Sequence, residues 1–129
     1  MFDLVRDLAS LSLIQAFAHA KKPVTAVCHG PAAFINTITP DGESLLKGAK
    51  LTSFTNEEEE AAGYTSRMPF ELETELNERS GGGFVKSDQP WVPKVIVSKT
   101  NYFGGPLITG QNPLSATGVA EEILKVLGL

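Results

Sequence analysis

The run Pro23-Val24-Thr25-Ala26-Val27-Cys28-His29-Gly30-Pro31-Ala32-Ala33-Phe34 constrains the fold more than any other stretch of the chain. Its first part, residues 24–27, is apolar and β-branched, the composition of a buried strand. The chain then meets its single cysteine, a histidine and Gly30-Pro31 in direct succession. Residues 32–35 read as the opening turn of a helix, with Pro31 accommodated near its start. Ala26 and Gly30 flank Cys28 at two residues on either side. That is the spacing of a nucleophile elbow, in which a sharp strand-to-helix turn lifts one side chain clear of the sheet. So tight a bend needs small neighbours. A thiol there is expected near a helix N-terminus, whose partial positive charge favours thiolate. A cysteine at a buried strand end is otherwise a small hydrophobe; the spacing and the adjoining His29 favour a reactive thiol.

The surrounding pattern is α/β in grammar. Residues 2–20 carry a helical stripe of Leu4, Val5, Leu8, Leu11, Ile14, Gln15 and Ala18, with Asp3 placed to cap it. His19 falls in the last turn, where a solvated residue is expected. A turn at Pro40-Asp41-Gly42 precedes a second short strand at 50–54. Asn56 is then expected to cap a short helix that opens with Glu57 to Glu60 and ends near Gly63. A further helix is expected at 69–79, with Phe70, Leu72 and Leu76 inward, and a glycine break at 81–83. Short strands follow at 84–85, 94–98 and 107–109, the last two joined by a glycine-rich hairpin connection at 101–106. The final helix, 113–127, offers Leu114, Val119, Ile123 and Val126 to the core, with Gly128 at its C-cap.

With 129 residues the chain is the size of one domain, large enough to bury a core. Its net charge of −4 gives no basic surface that would track phosphates, so nucleic acid is not an expected partner. No apolar run approaches the ~18 residues of a membrane span, and the N-terminal stretch lacks the features of a signal peptide. One cysteine excludes an internal disulfide and fits a reducing cytoplasm. Two histidines and one cysteine, with no repeated ligand spacing, offer no metal cluster.

Ala26-Val27-Cys28-His29-Gly30-Pro31-Ala32-Ala33 resembles the nucleophile motif of the ThiJ/PfpI superfamily, in its glyoxalase III-like, heat-shock-chaperone-like branch. Met1-Phe2-Asp3-Leu4 is similar to the residues after that branch's glycine-rich turn. The segment 51–63 resembles the one carrying its acidic residue, and Leu107-Ile108-Thr109-Gly110-Gln111-Asn112-Pro113 its last strand and the start of its final helix. The likeness runs in order along essentially all of residues 1–129. It implies a single flavodoxin-like α/β three-layer sandwich with a mostly parallel sheet, here partial because the family's N-terminal half is missing.

The resemblance also implies a catalytic Cys28-His29-acid triad. By motif alignment the acid falls on Glu59, with Glu57 the next choice, and the other glutamates of the run are expected to be solvated. The implied activity is glutathione-independent glyoxalase, converting a 2-oxoaldehyde such as methylglyoxal to D-lactate or another 2-hydroxy acid, with no cofactor and no metal. The alternatives are a stress-response chaperone or redox sensor without turnover, and an amidase or peptidase of the same superfamily. In the family, backbone donors near the cysteine and a glutamate that hydrogen-bonds it come from segments preceding the equivalent of Met1. The strand at 24–27 is therefore expected to have an open edge. The chain could be a fragment, a short gene product starting at an internal methionine, or one that takes the missing strands from a second chain. A homo-oligomer is expected in the last case.

Overall fold

The computed structural model describes residues 1–100 and 102–129. Four α-helices, α1 (Leu8–His19), α2 (Asn56–Ala61), α3 (Leu72–Ser80) and α4 (Ala116–Leu127), accompany three four-residue strands, β1 (Val24–Val27), β2 (Val95–Ser98) and β3 (Leu107–Gly110). The strand order is β1-β3-β2, with β1 parallel to β3 and β2 antiparallel to it. The sheet is thus mixed rather than mostly parallel, because β2 returns directly into β3 as a hairpin. Asn101, at the start of the expected hairpin connection, lies outside the described residues.

Helix α1 starts later than its apolar pattern suggests. The Asp3 carbonyl accepts from the backbone N–H of Arg6 and Asp7 in a turn, and Asp7 is the N-cap, accepting from Ser10 at 2.8 Å. The turn shifts Leu4 out of the helical phase. Val5 and Ala18 are buried, Leu11, Ile14 and Gln15 half-buried, and Leu4 and Leu8 exposed. His19 is exposed in the last turn of α1.

After Cys28 the chain forms a 3-10 turn, Gly30–Phe34, instead of an α-helix. Its bonds run from Ala32 N–H to His29 and from Ile35 N–H to Ala32. The expected strand at 50–54 is extended but pairs only through a Leu51–Phe84 bridge, and 84–85 forms no strand beyond it. The segment's other bonds go elsewhere: Thr52 N–H to Thr109 Oγ1 and Phe54 N–H to the Cys28 carbonyl. These ties stitch it beneath the site.

The core lies between β1, β3, the 3-10 turn, residues 45–51 and α3, and includes Val24, Phe34, Leu45, Leu46, Leu51, Leu76 and Leu107. Helix α4 closes on β3 at Gly110, where an added Cβ would meet Val119 Cγ2 at 2.8 Å. Of the four residues expected inward on the last helix, Val119 is buried and Ile123 half-buried, while Leu114 and Val126 are exposed. Leu114 belongs to a separate 3-10 turn, Pro113–Ser115, and so is out of phase with α4. Twelve helical residues rise about 18 Å against about 13 Å for a four-residue strand, so the last turn overhangs the sheet.

Among the described residues β1 is an edge strand, paired on one side only. Beside it, Leu13, Ile14 and Phe17 of α1 with Pro23, Val24 and Thr25 line an apolar groove of about 180 Å³.

Candidate active site

Cys28 follows β1 directly, with φ +61°, a left-handed conformation that side chains other than glycine adopt at a cost of roughly 1–3 kcal/mol. Both its main-chain groups are held: N–H to the Gly110 carbonyl and C=O from Phe54 N–H, each at 2.9 Å. The small flanking residues have a direct reason. A Cβ added to Gly30 would sit 3.1 Å from the Ala26 Cβ, so the turn closes its two shoulders onto one another.

The turn sets Cys28 Sγ 3.3 Å from His29 Nδ1. On the far side of the ring, His29 Nε2 lies 2.6 Å from Glu59 Oε2. A carboxylate only accepts, so Nε2 carries the proton and Nδ1 is left to accept from the thiol. Phe54 packs on the imidazole with ring centroids 4.6 Å apart, and Trp91 packs edge-on against Phe54 at 5.4 Å. Glu59 is buried, and its other oxygen, Oε1, has no partner among the described residues. That carboxylate therefore concentrates its demand on the one proton of His29.

Of the residues singled out by sequence, Cys28, His29 and Glu59 are brought together in series. Glu57 is exposed, with no side-chain hydrogen bond among the described residues. The glutamate run is not one acid among three solvated neighbours, however, because Glu58 is also fully buried. Its Oε2 accepts from Thr55 N–H at 3.0 Å and Thr55 Oγ1 at 3.1 Å. Its Oε1 accepts from Trp91 N–H at 2.9 Å, Gln111 Nε2 at 3.0 Å and Asn112 Nδ2 at 2.8 Å. The helix cap is accordingly Thr55 and not Asn56, in a capping box with Glu58. Asn56 opens α2 instead, and its N–H donates to Glu73. Sequence did hold a signal for Glu58, since Thr55-Asn56-Glu57-Glu58 has the T-x-x-E spacing of that motif.

Electrostatics corrects one expectation. Burial pushes the Cys28 thiol above its ordinary value; the His29 backbone N–H pulls it down, and the Glu58 and Glu59 charges push it up further. A five-residue 3-10 turn is too short a dipole to reverse this. These influences favour the thiol over the thiolate. Burial is also the largest influence on Glu58 and acts upward, but hydrogen bonds from Asn112, Thr55, Gln111 and Trp91 outweigh it and hold the carboxyl below its usual value.

A cavity of about 570 Å³ lies on the Glu59 side, walled by Phe54, Glu57, Glu59, Met68, Phe70 and Lys86 among others; Cys28 does not line it. Among the described residues no three His, Cys, Asp or Glu side chains gather as a metal site, and no helix is long and apolar enough to cross a membrane.

A thiol, imidazole and carboxylate in series can perform nucleophilic chemistry on an electrophilic carbon, the histidine taking and returning the proton. No family model matches the chain. It is 37% identical over 105 residues to "Glyoxalase 3" of Candida albicans, covering 78% of this chain and 42% of that protein. It is 32% identical over 132 residues to the glutathione-independent glyoxalase hsp3101 of Schizosaccharomyces pombe, covering 98% and 52%. The crystal structure of glyoxalase III from Candida albicans superposes with TM-score 0.82 at 29% identity, over 97% of this chain and 52% of that one. These relatives support the resemblance to the ThiJ/PfpI superfamily, in its glyoxalase III-like branch. It spans about half the length of the curated relatives it matches.

Proposed function

We propose that the chain carries the nucleophile, base and acid of a glutathione-independent glyoxalase acting on small 2-oxoaldehydes such as methylglyoxal. The observation that carries this reading is the unbroken series Cys28 Sγ, His29 and Glu59 at 3.3 and 2.6 Å, in a chain whose relatives are named glyoxalases. The positive φ of Cys28 supports reading its turn as a nucleophile elbow, and the superfamily resemblance implies a flavodoxin-like sandwich as the whole architecture.

As Cys28 Sγ attacks the aldehyde carbon, His29 Nδ1 takes the thiol proton and a hemithioacetal forms. A base, His29 once it has passed that proton to the new alkoxide, then removes the C1 hydrogen to give an enediol. Return of that proton to C2, with the C1 hydroxyl proton passing to the C2 oxygen, leaves a thioester bearing a 2-hydroxyl group. Water hydrolyses the thioester, releasing the 2-hydroxy acid and the thiol. Glu59 fixes the imidazole tautomer and stabilises the imidazolium. The His29 backbone N–H, adjacent to Cys28 in the turn, is the donor proposed for the developing oxyanion. Neither cofactor nor metal enters this scheme. The proposed setting is the cytoplasm, where a lone thiol stays reduced. Across the bare edge of β1, a strand from a second copy or from further chain would complete the sheet.

The test is D-lactate formation from methylglyoxal without glutathione. Cys28→Ala is expected to abolish it, and turnover that survives that change removes the reading. A second reading, a chaperone without turnover, is favoured by the apolar side chains exposed along α1, Leu8 at 78% and Leu13 at 59%. It requires client aggregation to be suppressed equally by the Cys28→Ala protein.

A further inference from the structure

We propose that Glu58 is a positioning residue for the site, anchoring α2 and the Trp91 loop so that Glu59 meets His29; this rests on the reading of Cys28, His29 and Glu59 as the reacting groups. Glu58 bonds to none of those three. It is instead the point at which three distant segments meet: the α2 cap at Thr55, the loop at Trp91, and the chain just past β3 at Gln111 and Asn112. The two carboxylates are consecutive on one short helix. Fixing the first therefore fixes the rotation and height of the second, and a helix of six residues has few other anchors.

The second arm runs through the loop. Trp91 sits at φ +65°, an unfavourable conformation for a bulky residue, and its N–H donates to Glu58 Oε1 at 2.9 Å. That bond secures the indole edge-on against Phe54, which in turn packs on the imidazole. One buried anion thus holds the histidine ring from two directions, at Nε2 through Glu59 and at its face through Phe54.

A glutamine at this position keeps the size but replaces one acceptor oxygen by a donor. Whichever oxygen is replaced, an N–H now faces existing donors: two at Oε2 or three at Oε1. The Glu58→Gln protein is therefore expected to loosen α2 or the Trp91 loop. The direct readout is the His29 Nε2–H proton in a ¹⁵N-labelled sample, which a short bond to a carboxylate moves downfield and protects from exchange. The parent protein is expected to show it and Glu58→Gln to lose it. Methylglyoxal kcat should fall by up to about 100-fold with KM little changed, because misplacement of a catalytic group acts on the transition state.

Where Glu58→Gln does not fold, Gln111→Met decides, since it removes one donor from Oε1 and keeps the charge. It is expected to broaden the same resonance. The proposal is overturned if the parent lacks the resonance, or if a folded variant keeps it sharp at parental kcat. Loss of the resonance in a set of proteins that never turn over methylglyoxal upholds the positioning role and removes the glyoxalase reading instead.

Discussion

The region around Glu58 and the region around β1 and α1 are opposites in how fully the chain satisfies itself. At Glu58 a buried anion has five hydrogen bonds drawn from three segments. Along β1, α1 and the turn before it, one strand edge is unpaired among the described residues and Leu4, Leu8, Leu13 and Phe17 are exposed. The Cys28 turn lies between the two, tied to β3 and to Phe54 by main-chain bonds. The parts that hold His29 and Glu59 are thus assembled by contacts within the chain. The strand that delivers the thiol has a neighbour on one side only.

The largest expected effect comes from crowding the satisfied side. Gly110→Ala would place a Cβ within 2.8 Å of Val119 Cγ2, 2.9 Å of Ser115 Cβ and 3.0 Å of Val27 Cγ2. Overpacking of this kind costs about 1–3 kcal/mol, to be read as a lower urea midpoint. Because the Gly110 carbonyl holds Cys28 N–H, the site should loosen with it. An unchanged midpoint would mean that α4 is free to shift away from β3.

Acid should act on the same side. Glu58 has its folded pKa lowered by its donors against burial. The stability it contributes is therefore fully present above the unfolded carboxylate value of about 4.3 and is lost as pH falls through its lower folded value. Urea midpoints of the parent and of Glu58→Gln should differ most near neutrality and converge as the pH drops through that window. Parallel curves would show that the anion is not what the donors hold.

A smaller effect is expected at the thiol. Burial, followed by the charges of Glu58 and Glu59, raises the Cys28 pKa, so iodoacetamide alkylation should titrate above the free-thiol value of about 8.5. Glu59→Gln removes one of those charges and should move the midpoint down. A midpoint below the free value in the parent would mean that the turn's backbone N–H groups outweigh burial.

What sequence could and could not show follows the same division. The strand into Cys28, the β2–β3 hairpin, the Pro40-Asp41-Gly42 turn and the Gly128 cap rest on local chemistry, and each is found. The meeting of Cys28, His29 and Glu59 was named through family motifs, because no local pattern brings residue 59 to residue 29. Sequence alone makes Glu58 look solvated, since its donors stand up to 54 positions away and a run of acids looks like an exposed helix start. Asp3 looks like the cap of α1 in sequence because the turn that delays the helix to Asp7 is held by main-chain bonds, which leave no side-chain pattern. The helix N-terminus expected to favour thiolate at Cys28 is absent for a geometric reason, the turn after Cys28 being a short 3-10 segment and not an α-helix.

The smallest effect on stability should come from the unsatisfied side, which makes it the sharpest test of the contrast. Leu8 is 78% exposed and Phe17 39%, so Leu8→Lys removes almost no buried area and Phe17→Lys only part of a ring. Surface changes of this type usually stay within about ±0.5 kcal/mol. Their effect should appear instead in sedimentation. If a second copy covers α1 and the β1 edge, the double variant shifts toward the mass of one chain while its urea midpoint barely moves. A midpoint that falls by several times that margin would show that α1 is anchored through these two side chains, and that the bare face is part of the core of this chain after all.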